Sequence, residues 1–171
     1  MNRFSHSTTN EKQTKTSFEP GDRYPEQTIP DGKFRFALSH IETGNDFFIQ
    51  LISKADELST LTETLQNQAL QSAEINLLTS KVDQACLAKS SDQCWYRAEI
   101  LSIAFGKARV RFVDFGDCLN VEARNLRQIE NKFCQFAPYA YRCTLKNVEG
   151  KKERRSKTST IGLLFSFVRS Q

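Results

Sequence analysis

Three aromatic residues and an acid gather where two strand-like runs give out: Tyr96 in WYRAEILSI, and Phe112, Phe115 and Asp117 in ARVRFVDFGD. An aromatic face carries negative quadrupole potential and attracts cations, most strongly poorly hydrated ones. A methylated guanidinium, flat, charged and partly stripped of donors, fits that description. Alternation along 95–103 puts Tyr96, Ala98 and Ile100 on one face, and Trp95, Arg97 and Glu99 on the other. In the next run Val110 and Phe112 share a face, whereas Phe115 has the opposite parity. Gly116 permits a sharp bend, and a bulged strand end would return Phe115 to the side of Phe112. With Tyr96 this makes a three-sided aromatic pocket, edged by the Asp117 carboxylate. The same rings would serve as the core of a small barrel, and spacing alone leaves both readings open.

The other charged residues of these runs suit structural roles. Arg97 and Asp114 are expected to form an ion pair across the barrel, Trp95 to pack, and Glu99 and Arg111 to lie on solvated strand faces. The five cysteines contain no C-x-x-C pair and the chain has two histidines, so neither a metal site nor a cofactor is expected. Reduced thiols in a cytosolic protein are the simpler expectation.

The elements that must position the pocket follow from periodicity. FRFALSHI and DFFIQLI, separated by ETGN, predict a hairpin over 34–52. Leu58, Leu61, Leu65 and Ala69 recur at helical steps and predict an amphipathic helix over 54–70. Residues 71–83 read as a polar connector that extends the helix or follows it. Short strands are predicted at 85–89, 95–103, 108–115 and 118–122, a spacing that suggests a small, strongly bent antiparallel barrel. A short helical turn is expected at 122–129 and a further strand over 133–148.

Composition adds limits. Hydrophobic content is 39% of 171 residues, low for a fully packed chain. Residues 1–32 are polar, carry no signal-peptide pattern and read as a disordered leader. The apolar run IGLLFSFV at 161–168 falls far short of the roughly 20 residues a membrane span needs. The net charge is +4, but residues 151–171 hold six of the 24 basic and one of the 20 acidic residues, leaving −1 for residues 1–150. A basic footprint for nucleic acid is therefore not expected on the body.

W-Y-R-A-E-I, V-R-F-V-D-F-G-D and N-L-R-Q-I together resemble the Tudor domain. The flanks FALSHIETGNDFFIQL and FAPYAYRCTLKNV extend the resemblance over roughly 34–148, to the extended Tudor module. It implies a mainly β fold: a Tudor (SH3-like) barrel inserted into a partial oligonucleotide-binding (OB) or staphylococcal-nuclease-like subdomain with one amphipathic helix. It divides the chain into a leader (1–32), the first half of the nuclease-like part (33–83), the barrel (84–129), the return (130–149) and a basic atypical tail (150–171). Members of the family bind arginine-methylated tails of Piwi-type proteins through an aromatic cage and an asparagine. By position the cage residues fall on Tyr96, Phe112 and Phe115. The resemblance thus implies a non-catalytic adaptor of the germline small-RNA (piRNA) pathway, in the cytoplasm and perinuclear germ granules, whose partner is an arginine-rich peptide.

Two departures bear on specificity. A further cage aromatic falls on Ser90, which has no π-face, and the asparagine falls on Asp117. Losing one wall removes about 0.5–2 kcal/mol of cation–π attraction. Asp117 adds a charge that favours any guanidinium, so weak discrimination between dimethylarginine and plain arginine is expected. After Val148 the sequence GKKERRSKTSTIGLLFSFVRSQ is unlike the helix and strand expected to close the outer fold, as a truncated or intron-read end would be. No catalytic residues are expected: Glu42, Asp46 and Arg35 do not make a nuclease centre, and His40 stands without a partner for acid–base work. Two other readings stay open: an oligonucleotide-binding module using the flank or tail, and a truncated isoform with an incomplete site.

Overall fold

The computed structural model describes residues 23–145, and the fold it shows is mainly β. The basic tail and the first 22 residues of the leader lie outside the described residues.

Two antiparallel sheets share the chain. The first has three strands in the order β1-β2-β8: β1 (Phe36–Ile41), β2 (Asp46–Leu51) and β8 (Ala140–Thr144). Thr43 closes the β1–β2 turn, its Oγ1 accepting the Asn45 and Asp46 N–H groups at 3.2 and 2.9 Å. A register shift between Leu38 and His40 sets His40 opposite Phe48. Alternation in β2 puts Phe47 and Ile49 into a small core with Cys143, and turns Phe48 and Gln50 toward the second sheet.

The second sheet contains β3 (Ala85–Lys89), β4 (Trp95–Ala104), β5 (Lys107–Phe112), β6 (Cys118–Glu122) and β7 (Leu126–Arg127), in the order β6-β5-β4-β3-β7. It curls strongly into a half-barrel, so that Leu126 of β7 and Val121 of β6 meet in one core with Val110 and Phe112. Ala88, Ala98 and Ala108 line that interior; their small side chains let the strands bend tightly around it. On the outer face of β3, Ala85 and Leu87 pack on α1 (Ala55–Gln71) through Leu65 and Ala69, with Leu61 at the margin. The helix has no side-chain N-cap, but Asp56 and Glu57 in its first turn favour the dipole.

Several expectations need correction. The helix ends at Gln71, close to its expected end, but the connector after it is not simply polar: it makes a bridge from Glu74 to Arg127 and drops Ile75 into the barrel core. Only Ala123–Asn125 forms a helical turn before β7. The segment expected as a strand from 133 starts with a short helix, α2 (Asn131–Cys134), and becomes strand only at Ala140. The Phe133, Phe136 and Ala137 carbonyls accept N–H groups of Arg97 at 2.9, 2.8 and 3.1 Å, which leaves them unavailable to a sheet. Glu99 and Arg111 are half-buried partners at 3.2 Å, not solvated faces. Burial lifts the Glu99 carboxyl above its usual range, against the pull of Arg111.

Order also begins before Lys33. Tyr24 packs against the α1 core, and its hydroxyl points at the Cys86 and Ala98 carbonyls at 3.3 and 3.2 Å. Gln27 donates to the carbonyls of Pro138 and Ala140 at 2.6 and 3.1 Å. Residues 23–27 are thus a strap across the half-barrel rather than leader.

Candidate functional site

The short loop after β5 decides where Phe115 points. Phe112 N–H donates to the Asp117 carbonyl at 2.9 Å, while Phe115 and Gly116 N–H both donate back to the Phe112 carbonyl at 3.1 and 2.7 Å. This closed turn, rather than a bulge, reverses the parity of Phe115 and brings its ring 5.1 Å from Tyr96, inclined at 76°. Tyr96 meets Phe112 at 5.8 Å and 81°. Both are edge-to-face contacts of the kind aromatic quadrupoles favour.

The three rings differ in depth. Phe112 is 1% exposed and belongs to the barrel core, whereas Tyr96 and Phe115 are partly buried at its margin. Phe112 is therefore a core residue, whereas solvent reaches the Tyr96 and Phe115 rings.

Two anchors hold the turn. Asp114 lies inside it, 1% exposed, and takes Arg97 in a two-bond pairing at 2.9 and 2.5 Å. The same carboxylate accepts the Tyr139 N–H at 3.0 Å, and Gln50 donates to the Asp114 carbonyl at 2.5 Å. The expected ion pair is thus present, and it fixes the loop that carries Phe115. The Arg97 guanidinium also lies 5.1 Å from the Tyr24 ring and 5.7 Å from the Tyr139 ring. Rings and a carboxylate surround a guanidinium there, inside the fold.

The second anchor is Gly116, whose φ of +99° is a region L side chains rarely adopt. A Cβ there would stand 2.2 Å from Cγ of Phe48, so the first sheet rests directly on the turn. Phe48 in turn carries His40 at 6.2 Å and the Arg111 guanidinium at 5.9 Å.

Asp117 closes the turn that carries Phe115 and is half-buried, and burial raises its carboxyl above the ordinary carboxylate range. Its own backbone N–H and the charge of His40 oppose that rise, and the charge of Asp92 adds to it. Ser90 begins the β3–β4 loop, where its N–H donates to the Cys94 carbonyl at 2.9 Å and its side chain offers no ring. Asp92 was not among the residues singled out from the sequence. Its Oδ2 accepts the Tyr96 hydroxyl at 2.7 Å and its Oδ1 the Cys94 N–H at 2.9 Å. Burial and this bond push the Tyr96 phenol far up. The only sequence signal for Asp92 was an acid four residues before the tyrosine, in a turn where acids are common.

Among the described residues no group of three or more His, Cys, Asp or Glu side chains could hold a metal ion. All five cysteines are thiols rather than disulfides, three of them buried. Burial pushes the Cys143 thiol up to about 11 and the Cys86 thiol higher. Neither is a nucleophile at neutral pH.

The Tudor domain family model matches residues 29–147. This chain belongs to the Tudor domain family. It is 32% identical over 120 residues to mouse RING finger protein 17, covering 68% of this chain and 7% of that protein. It is 34% identical over 120 residues to Tudor domain-containing protein 1 of Danio rerio, covering 68% of this chain and 10% of that protein. This Tudor chain thus spans a tenth or less of the length of these relatives. Among solved structures it is similar to the human TDRD1 extended Tudor domain in complex with a symmetrically dimethylated peptide. That match has 25% identity and a TM-score of 0.63 over 71% of this chain and 61% of the other. The fold is shared with a Tudor–Aubergine complex, at 24% identity and a TM-score of 0.59 over 66% of each chain. It is shared too with the third extended Tudor domain of mouse TDRD1 bound to a dimethylarginine-containing MILI peptide, at 22% identity and a TM-score of 0.65 over 79% and 70%.

Proposed function

We propose that this Tudor module is a non-catalytic adaptor that holds an arginine side chain of a peptide against the solvent-reached sides of Tyr96 and Phe115. Phe112 supports Tyr96 from the core, and Asp117 supplies the negative charge. The observation that carries the reading is the turn of residues 112–117, which stands Phe115 against Tyr96 beside a half-buried acid. The solved neighbours in complex with methylarginine peptides support an arginine-containing ligand. In this reading residues 84–129 are the barrel, with 33–83 and 130–149 as its flank. The partner is the arginine-rich tail of a Piwi-type protein in the germline piRNA pathway, met in cytoplasmic, perinuclear germ granules. No helix among the described residues is long and apolar enough to cross a membrane.

Calorimetric titration of one single-arginine peptide, unmodified and dimethylated, against the chain and its Phe115→Ala variant tests this. Removing one of two accessible rings should weaken binding about three- to thirtyfold. A salt series separates the oligonucleotide alternative, because phosphate binding falls steeply with salt. If Phe115→Ala leaves the affinity unchanged, the peptide sits elsewhere.

A further inference from the structure

Two carboxylates stand beside the two rings that solvent reaches. Phe112 is sunk in the core, Ser90 supplies no face, and two rings reach solvent. Against them stand Asp117, half-buried in the turn that carries Phe115, and Asp92, exposed in the β3–β4 loop but tied at both oxygens. The Tyr96 hydroxyl is what holds Asp92 to the pocket. A phenol donating to a carboxylate also gains electron density, which strengthens the ring's own pull on a cation. The two acids share one field, since the charge of Asp92 helps to keep the Asp117 carboxyl up. A cation that offers donors to both would complement the pair.

An unmodified guanidinium presents five N–H donors in a planar fork, and each carboxylate accepts several. Dimethylation removes two donors in either isomer and keeps the charge. A cage walled by rings favours the methylated form because methyl groups fill it and lower its hydration. Where charge-assisted hydrogen bonds replace rings, the lost donors dominate.

Resting on the peptide-binding reading above, we propose that Asp92 and Asp117 form a two-carboxylate clamp that selects arginine with its donors intact. Unmodified and monomethylated arginine peptides are then the ligands, and symmetric dimethylation weakens binding instead of licensing it. Asp92 acts as the specificity-determining residue, positioned by Tyr96.

The test titrates one single-arginine peptide in unmodified, monomethylated and symmetrically dimethylated forms against the full chain, Asp92→Asn, Asp117→Asn and Phe115→Ala. The unmodified peptide should bind about fivefold or more tighter than the dimethylated one. Asp92→Asn, an exposed and nearly isosteric change, should narrow that ratio toward one by weakening the unmodified peptide most. A dimethylated peptide binding tighter than the unmodified one, while Phe115→Ala weakens both, overturns the clamp and leaves the peptide-binding reading standing. An unchanged ratio in Asp92→Asn overturns the role of Asp92. Binding indifferent to Phe115→Ala overturns the underlying reading itself.

Discussion

Asp114→Asn is the sharpest probe of how the fold makes the site. The Arg97 side chain is fully buried, and its charge is balanced by the single carboxylate of Asp114 through bonds of 2.9 and 2.5 Å. The three carbonyls around it satisfy N–H groups but cannot neutralise a charge. Removing one partner of a buried pair typically costs about 3–5 kcal/mol, because the other charge is left uncompensated. Total domain stability is about 5–15 kcal/mol, so the variant should lose a large share of it. Urea unfolding followed by Trp95 fluorescence reads the change as a lower midpoint at similar slope. Arg97→Met combined with Asp114→Leu removes both charges, and such replacements are often neutral or better; the double variant should recover much of the loss. Because Asp114 lies between Phe112 and Phe115, peptide affinity should also fall in Asp114→Asn at temperatures where it stays folded. A loss below about 1 kcal/mol in Asp114→Asn would show that the guanidinium is already neutralised by its surroundings, and the reasoning fails.

Gly116→Ala combines a strained φ with a clash against Phe48, and should cost about 2 kcal/mol or more while weakening peptide binding; denaturation and titration read both. A chain cut to residues 33–145 should unfold at lower urea than one of 23–145, since Tyr24 leaves with the strap, and Tyr24→Phe in the longer chain should cost about 1 kcal/mol. Peptide affinity should fall as pH drops through the raised Asp117 pKa, starting above the ordinary value of 3.8. His40 on β1 opposes that rise and Asp92 in the β3–β4 loop adds to it, so the rise should grow in His40→Ala and shrink in Asp92→Asn. For stability the sign reverses: folded Asp117 holds its proton more tightly than unfolded, so its contribution is lost as pH rises. Asp117→Asn should therefore gain stability at neutral pH and show no advantage below the unfolded pKa, as pH-dependent melting would record.

What the sequence by itself determined was local. Period two drew the strands of the hairpin and half-barrel, period three to four drew α1, and the aromatic spacing marked Tyr96, Phe112 and Phe115, because each pattern depends on neighbours a few residues away. Tertiary structure decided what distance in the chain conceals. Whether Phe115 faces Tyr96 depends on Arg97, Tyr139 and Gln50 gripping Asp114 from three other segments. Tyr24 reads as leader until its hydroxyl meets carbonyls 62 and 74 residues away. Residues 133–139 are apolar and aromatic enough to suggest a strand, but Asn131–Cys134 forms a helix and a buried guanidinium takes the Phe133, Phe136 and Ala137 carbonyls. Asp92 looks like a turn residue until the Tyr96 hydroxyl binds it. Buried charges and unpaired donors are satisfied by whichever groups the fold brings near, and no window of sequence contains those groups together.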